Sequence, residues 1–281
     1  MVKLIITDLD DTLYSWIGFF IPAFYAMAEE VSQIINADLN VLLDEYKAVH
    51  QQKGNVEYPY ATLLLPSVKA AFPTYNRKKR MDALDSAFHR FNSVRKAKLQ
   101  LFSMVKETLE KLTQKGIHIV GYTDSARENG YYRLRMLGIE EYFTKVYVSK
   151  SQYRNSKHLS LPEKVKTVSG KKPNPALLKH ICEDQGVGFD EAIYIGDSLT
   201  KDIYMAKRAG VFSVLMKSDL NGIDMLEYYN KLVAISHWLP EDFEREAALK
   251  EECIEKGIQP DAIISCFSEI IDIIEKLNSE A

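Results

Sequence analysis

Apolar residues along this chain follow two periods. Short runs rich in Val, Ile and Tyr predict strands: "KLIIT" at 3–7, "IHIVGYT" at 117–123, "KVYVSK" at 145–150, "AIYIGD" at 192–197, "VFSVLM" at 211–216 and "AIISC" at 262–266. Between several of them the spacing lengthens to three and four, and Gly or Pro marks the limits. A helix near 126–137 stops at Gly138, one near 201–209 stops at Gly210, and one opening at Pro175 stops at Gly186. Strands alternating with helices predict an α/β fold built on a doubly wound parallel sheet. In such sheets ligands collect beyond the carboxyl ends of the strands.

Two stretches break the rhythm. After the first strand, "FYAMAEEVSQII", "LNVLLDEYKAVHQQ" and "RMDALDSAFHRFNSVRK" all carry helical spacing, which predicts an inserted all-helical domain at 16–98 within a core formed by 1–15 and 99–281. A second interruption, roughly 217–260, is charged and helical and falls inside the span assigned to the core. Pro240, Glu241 and Asp242 there suit a first helical turn.

Composition narrows the function classes. The 281 residues are 46% hydrophobic, enough for a full core, and a net charge of −3 supplies no global basic field, which argues against a nucleic-acid partner. Cys182, Cys253 and Cys266 show no Cys-x-x-Cys spacing, so neither a disulfide framework nor a structural zinc is indicated, and a reducing cytoplasm fits. The opening "MVKLIIT" meets Asp8 before an export signal's apolar core is complete. The longest apolar stretch, "WIGFFIPAFYAMA" at 16–28, falls short of the ~20 residues that a membrane-spanning helix needs. A buried helix and a cytoplasmic location without a membrane partner are expected, with Tyr14, Trp16, Phe19 and Phe20 packing into a helical core.

The chemistry gathers at the predicted strand ends. In "IITDLDDTLYSW" the first strand runs into Asp8, Asp10 and Asp11. Like charges this close repel, and enclosure raises the cost. Side chains two apart on an extended chain point the same way, so Asp8 and Asp10 can share a site while Leu9 faces away. A cation would relieve the repulsion. Thr123 closes the second strand, Lys172 precedes a helix in "KKPNPALL", and Asp197 and Asp202 follow a later strand in "YIGDSLTKDI". Carboxylates are the ligands Mg²⁺ prefers, and a hydroxyl and an ammonium beside them suit a phosphoryl group.

These four stretches, in this order, resemble the signature of the haloacid dehalogenase superfamily in its branch with a helical cap. The resemblance implies a Mg²⁺-dependent phosphatase acting on a small phosphorylated metabolite. Asp8 would be the nucleophile and Asp10 the general acid and base, surrounded by negative charge. Thr123 and Lys172 would hold the phosphoryl oxygens. Mg²⁺ would sit on Asp8, the backbone carbonyl of Asp10 and Asp197, with Asp202 as a ligand or as a partner behind one. The same fold also hosts phosphomutases and dehalogenases, and a phospho-receiver or binding protein is the non-enzymatic alternative. Asp10 favours phosphate chemistry over dehalogenation, because a halide leaving group needs no proton.

Neighbouring residues have plainer readings. Asp11 and Thr12 are turn residues, and Asp202 also suits the first turn of its helix. Asp124 and Ser125 cap the next helix, or their amides bind phosphate. The stretch from Lys150 to Lys172 carries seven basic residues against Glu163 alone, and reads as a connector near the site or as a field that draws anions.

Overall fold

The computed structural model describes residues 1–58, 60–150, 162–218 and 225–280. Among the described residues, seven strands form one parallel sheet in the order β4-β3-β2-β1-β5-β6-β7. They are β1 (Leu4–Thr7), β2 (His118–Ala126), β3 (Lys145–Ser149), β4 (Val165–Val168), β5 (Ala192–Gly196), β6 (Phe212–Met216) and β7 (Ala262–Ile264). β1 lies at the centre, with Ile6 opposite Val120 on one side and Tyr194 on the other. Every β1 residue is buried, which explains the unbroken apolar run "LIIT". The chain adds strands outward from β1 to β4, then returns to begin again at β5. The order therefore reverses where β1 and β5 end, the place where such sheets bind ligands.

Apolar pattern does not reveal β4, which falls inside the basic stretch read as a connector. It is an edge strand whose Lys166 and Thr167 are exposed, so no buried face marks it in the sequence. The rest of that stretch, 151–161, lies outside the described residues.

The chain divides into two compact units, one of Met1–Ser15, Gln100–Asp219 and Glu246–Ala281, the other of Trp16–Leu99 and Leu220–Arg245. In the first, Leu4, Ile6, Val120, Tyr122 and Tyr194 pack on one sheet face with residues of two helices, α8 (Pro175–Asp184) and α9 (Tyr204–Ala209). The same unit contains α6 (Val105–Gln114), α7 (Arg127–Met136) and α12 (Ile270–Ser279).

The second unit is helical: α1 (Trp16–Ile35), α2 (Leu39–Lys53), α3 (Pro66–Ala71), α4 (Arg77–Ala83), α5 (Asp85–Lys98) and α10 (Met225–Ile235). The Asp38 carboxylate caps α2 by accepting from the amides of Asn40 and Val41, and Gly54 ends it in the left-handed conformation. Phe19 and Phe20 of α1 are buried as expected, whereas Trp16 is half-buried, stacked on Phe20, and Tyr14 is buried in the sheet unit.

The placement of 217–260 needs correction. Residues 220–245 group with the helical unit and not with the core, and α10 packs against α1 and α2. Leu232 and Ile235 are buried there, the Tyr25 hydroxyl donates to the Lys231 carbonyl at 3.1 Å, and His50 Nδ1 donates to the Ile235 carbonyl at 2.6 Å. Periodicity shows that a helix buries one face, but not what the face is buried against. The remaining helix, α11, covers Pro240–Glu255. Among the described residues, no helix is long and apolar enough to cross a membrane.

Candidate active site

β1 delivers Asp8 to the carboxyl edge of the sheet, where the Asp8 amide donates to the Ile195 carbonyl of β5 at 2.8 Å. Leu4, Ile6 and Asp8 share a face through the strand period, so Asp8 continues the face that packs on α8 and α9. Asp8 Oδ1 accepts from the Leu9 amide at 2.8 Å and meets Lys172 Nζ at 2.8 Å. The ammonium also reaches Asp202 Oδ1 at 2.9 Å. Tyr194 donates its hydroxyl to that same oxygen at 2.8 Å, and the Ser198 amide reaches Asp202 Oδ2 at 3.1 Å. The ring centres of Tyr122 and Tyr194 lie 5.0 and 5.5 Å from Lys172 Nζ.

Gly196 makes this packing possible. A Cβ at that position would lie 2.3 Å from Asp202 Cγ, so only glycine lets the carboxylate lie against the strand end. The Asp124 carboxylate accepts the Lys172 amide at 3.1 Å. The Asp124 side chain is therefore not the helix cap that its position in the sequence suggests. It instead holds the lysine loop, while Ala126 precedes α7.

The second cluster surrounds Asp10. Thr123 Oγ1 donates to Asp10 Oδ2 at 3.2 Å, Ser125 Oγ donates to the same oxygen at 2.6 Å, and Arg133 Nη1 donates to Oδ1 at 2.7 Å. Arg133 Nη1 also donates to Ser125 Oγ at 2.9 Å. The expectation of negative charge around Asp10 needs correction. The structure sets a buried guanidinium against it instead, with the Arg133 side chain only 4% exposed.

Sequence reasoning passes over Arg133 and Tyr194, and does not bring the Ser125 hydroxyl to Asp10. Ser125 is two residues beyond Thr123 on the same strand, so the strand period could have found it. Arg133 follows Gly130 by three residues and adjoins Leu134, both buried, which places it on the inward face of α7. Asp11 has a φ of 59°, in keeping with its reading as a turn residue.

Charge in the cluster is unbalanced. One carboxylate oxygen from each of Asp8, Asp197 and Asp202 lies within 4.8 Å of the others. Burial pushes the Asp8 carboxyl up, against the pull of Lys172. Desolvation at the strand end, followed by the Asp202 charge, pushes Asp197 up to about 7 even though the residue opens to solvent. Burial alone would lower Lys172, but Asp202 and Asp8 hold it well above its usual range, so the ammonium stays charged. One ammonium does not neutralise three carboxylates. The all-oxygen donor set and the remaining negative charge fit a hard divalent cation.

The chain is similar in sequence and fold to known proteins. A glyceraldehyde 3-phosphate phosphatase of Methanocaldococcus jannaschii is 26% identical over 233 residues, 81% of this chain and 91% of that protein. A phosphoglycolate phosphatase of Mannheimia succiniciproducens is 29% identical over 146 residues, 51% of this chain and 54% of that protein. The fold is shared with a HAD phosphatase from Thermococcus onnurineus, which has a TM-score of 0.53 and 18% identity, with 97% of this chain and 98% of that chain covered. It is shared too with a 2-haloacid dehalogenase from Pseudomonas syringae, at a TM-score of 0.51 and 18% identity over 98% of this chain and 99% of that one. The family model for haloacid dehalogenase-like hydrolases matches residues 2–210, a span that begins ahead of Asp8 and ends past Asp202, and the chain belongs to that family.

Proposed function

We propose that the chain is a phosphatase that hydrolyses a small phosphomonoester through a phosphorylated Asp8. The observation that carries this reading is the pairing of Asp8 Oδ1 with the Lys172 ammonium at 2.8 Å, with a second, donor-held carboxylate two residues along the chain. A carboxylate nucleophile alone serves dehalogenation as well, and the fold is shared with a dehalogenase. Asp10 favours phosphate esters, because an alkoxide leaving group needs a proton and a halide does not. The phosphatase names of the relatives support the same choice.

The residues support two balanced steps. Asp8 attacks phosphorus, the bond from phosphorus to the ester oxygen breaks, and Asp10 gives that oxygen its proton. Asp10 then takes a proton from water, the water oxygen attacks phosphorus, and the bond to Asp8 breaks to release phosphate. Lys172 offsets phosphoryl charge, and Thr123, whose single hydroxyl proton goes to Asp10 in this structure, would turn it to a phosphoryl oxygen on substrate binding. Asp8, the Asp10 backbone carbonyl and Asp197 would hold Mg²⁺, which when bound neutralises charge on the phosphoryl oxygens. Asp202 has its oxygens engaged by Lys172, Tyr194 and Ser198, and acts by orienting the lysine.

Phosphate release from glyceraldehyde 3-phosphate, phosphoglycolate and a panel of other phosphorylated metabolites, measured with Mg²⁺, tests the reading. Turnover should vanish in excess chelator and return with Mg²⁺. Asp8→Asn should lose nearly all turnover while the protein stays folded by circular dichroism, since an amide is a poor nucleophile. A folded Asp8→Asn protein with near-normal turnover refutes the assignment.

A further inference from the structure

We infer that Arg133 is a positioning residue for Asp10: it acts through the Asp10 carboxylate to fix where a proton is delivered, an inference that rests on the acid and base role proposed for Asp10. Three features support it. First, Asp10 lies beyond the end of β1, and its side chain is 21% exposed, so neither the sheet nor burial alone fixes its orientation. Second, donors from two elements hold both of its oxygens. Thr123 and Ser125 of β2 take Oδ2, and Arg133 of α7 takes Oδ1 at 2.7 Å. Arg133 also donates to Ser125 Oγ at 2.9 Å, so one guanidinium nitrogen ties the carboxylate and its other main donor together. Third, α7 approaches β2 closely at this level. A Cβ on Gly130 would lie 3.1 Å from Thr123 Cγ2, and the missing side chain lets the helix carry Arg133, one turn later, to the strand end.

The chemistry of arginine suits such a role. A guanidinium is planar, offers directed donors and does not give up its proton, so it can aim a carboxylate without competing for the transferred proton. Lysine at the same place would supply charge with looser direction. Misplacing a catalytic group by about 1 Å costs rates of order 10²-fold, so orientation alone makes a measurable contribution. A purely structural part, tying α7 to the chain after β1, is the competing account. It predicts effects that do not depend on the substrate's leaving group.

The test compares kcat/KM, which reports transfer to Asp8, for glycerol phosphate and 4-nitrophenyl phosphate in the Mg²⁺-loaded full chain. Arg133→Met retains much of the side-chain volume, and its folding is checked by thermal unfolding. It should lose roughly tenfold or more on glycerol phosphate and several-fold less on the nitrophenyl ester, whose leaving group needs little protonation. Arg133→Lys should recover part of the glycerol phosphate loss. In an Asp10→Asn background, Arg133→Met should cost little more, because its effect passes through Asp10. Equal losses on both esters, or losses that add in the double variant, overturn the inference while leaving the phosphatase reading in place. A full-rate Asp10→Asn protein on glycerol phosphate would overturn the inference together with the acid and base role proposed for Asp10.

Discussion

The two units bury polar groups in opposite ways. Around the strand ends of the sheet unit, the ionisable side chains of Asp8, Lys172, Asp202 and Arg133 are all buried. In the helical unit the buried polar side chains are neutral. Tyr46 shares a hydrogen bond of 2.7 Å with Thr62, and His50, against the rings of Phe24 and Tyr46, gives its Nδ1 proton to a carbonyl. Burying a charge costs several kcal/mol even after relaxation, so it survives where partners are arranged around it. A neutral donor on a carbonyl costs little. The sheet unit carries the expensive arrangement at the place where the order of its strands reverses, and the helical unit carries packing.

The largest effect expected from breaking the charged arrangement comes from Lys172→Met. With the ammonium gone, Asp8 and Asp202 face each other unpaired, and Asp202 is only 1% exposed. Loss of one partner from a buried ion pair costs about 3–5 kcal/mol, which urea unfolding in chelator should show. Catalysis should fall by roughly 10³-fold as a charge-stabilising donor is lost. Unchanged stability would mean that the carboxylates do not depend on Lys172.

Asp10→Asn should have a smaller effect. Asparagine keeps the backbone carbonyl and can still accept from Arg133, but it cannot carry a proton to the leaving oxygen. Turnover of an alkyl phosphate should fall by roughly 10²-fold, with a smaller loss for a nitrophenyl ester. Equal losses for both esters would count against proton delivery in the first step.

The contrast between the units is partly legible in the sequence. Asp8, Lys172, Asp197 and Asp202 sit at the ends of predicted strands or helices, and closeness in space follows from the order of a parallel sheet. Arg133 is less legible. It shares a helix with Arg127 and Arg135, and charge alone does not say which one turns inward. The edge strand β4 lacks a buried face, and α10 shows an apolar stripe without naming the helices that receive it. Local pattern carries an element's type, while its partner depends on residues far along the chain.

The smallest expected effect sharpens the contrast from the neutral side. Desolvation lowers the His50 pKa from its ordinary 6.5 to about 4, with the hydrogen bond to Ile235 opposing the change. Above pH 6.5 the ring is neutral whether the protein is folded or unfolded, and His50 makes no pH-dependent contribution. As pH falls from 6.5 toward 4, the unfolded chain takes up a proton that the folded chain refuses, so the folded state loses stability. The loss should reach about 3 kcal/mol near pH 4, because each tenfold difference in proton affinity between the two states is worth roughly 1.4 kcal/mol. His50→Asn separates this from the carboxylates, because the asparagine amide can still donate toward the Ile235 carbonyl but does not titrate. Urea unfolding of both proteins between pH 7 and pH 4 should give a shallower decline for the variant, whatever its stability at pH 7. Parallel declines would mean that His50 takes up its proton in the folded state as readily as in water, and the helical unit would then tolerate a buried charge after all.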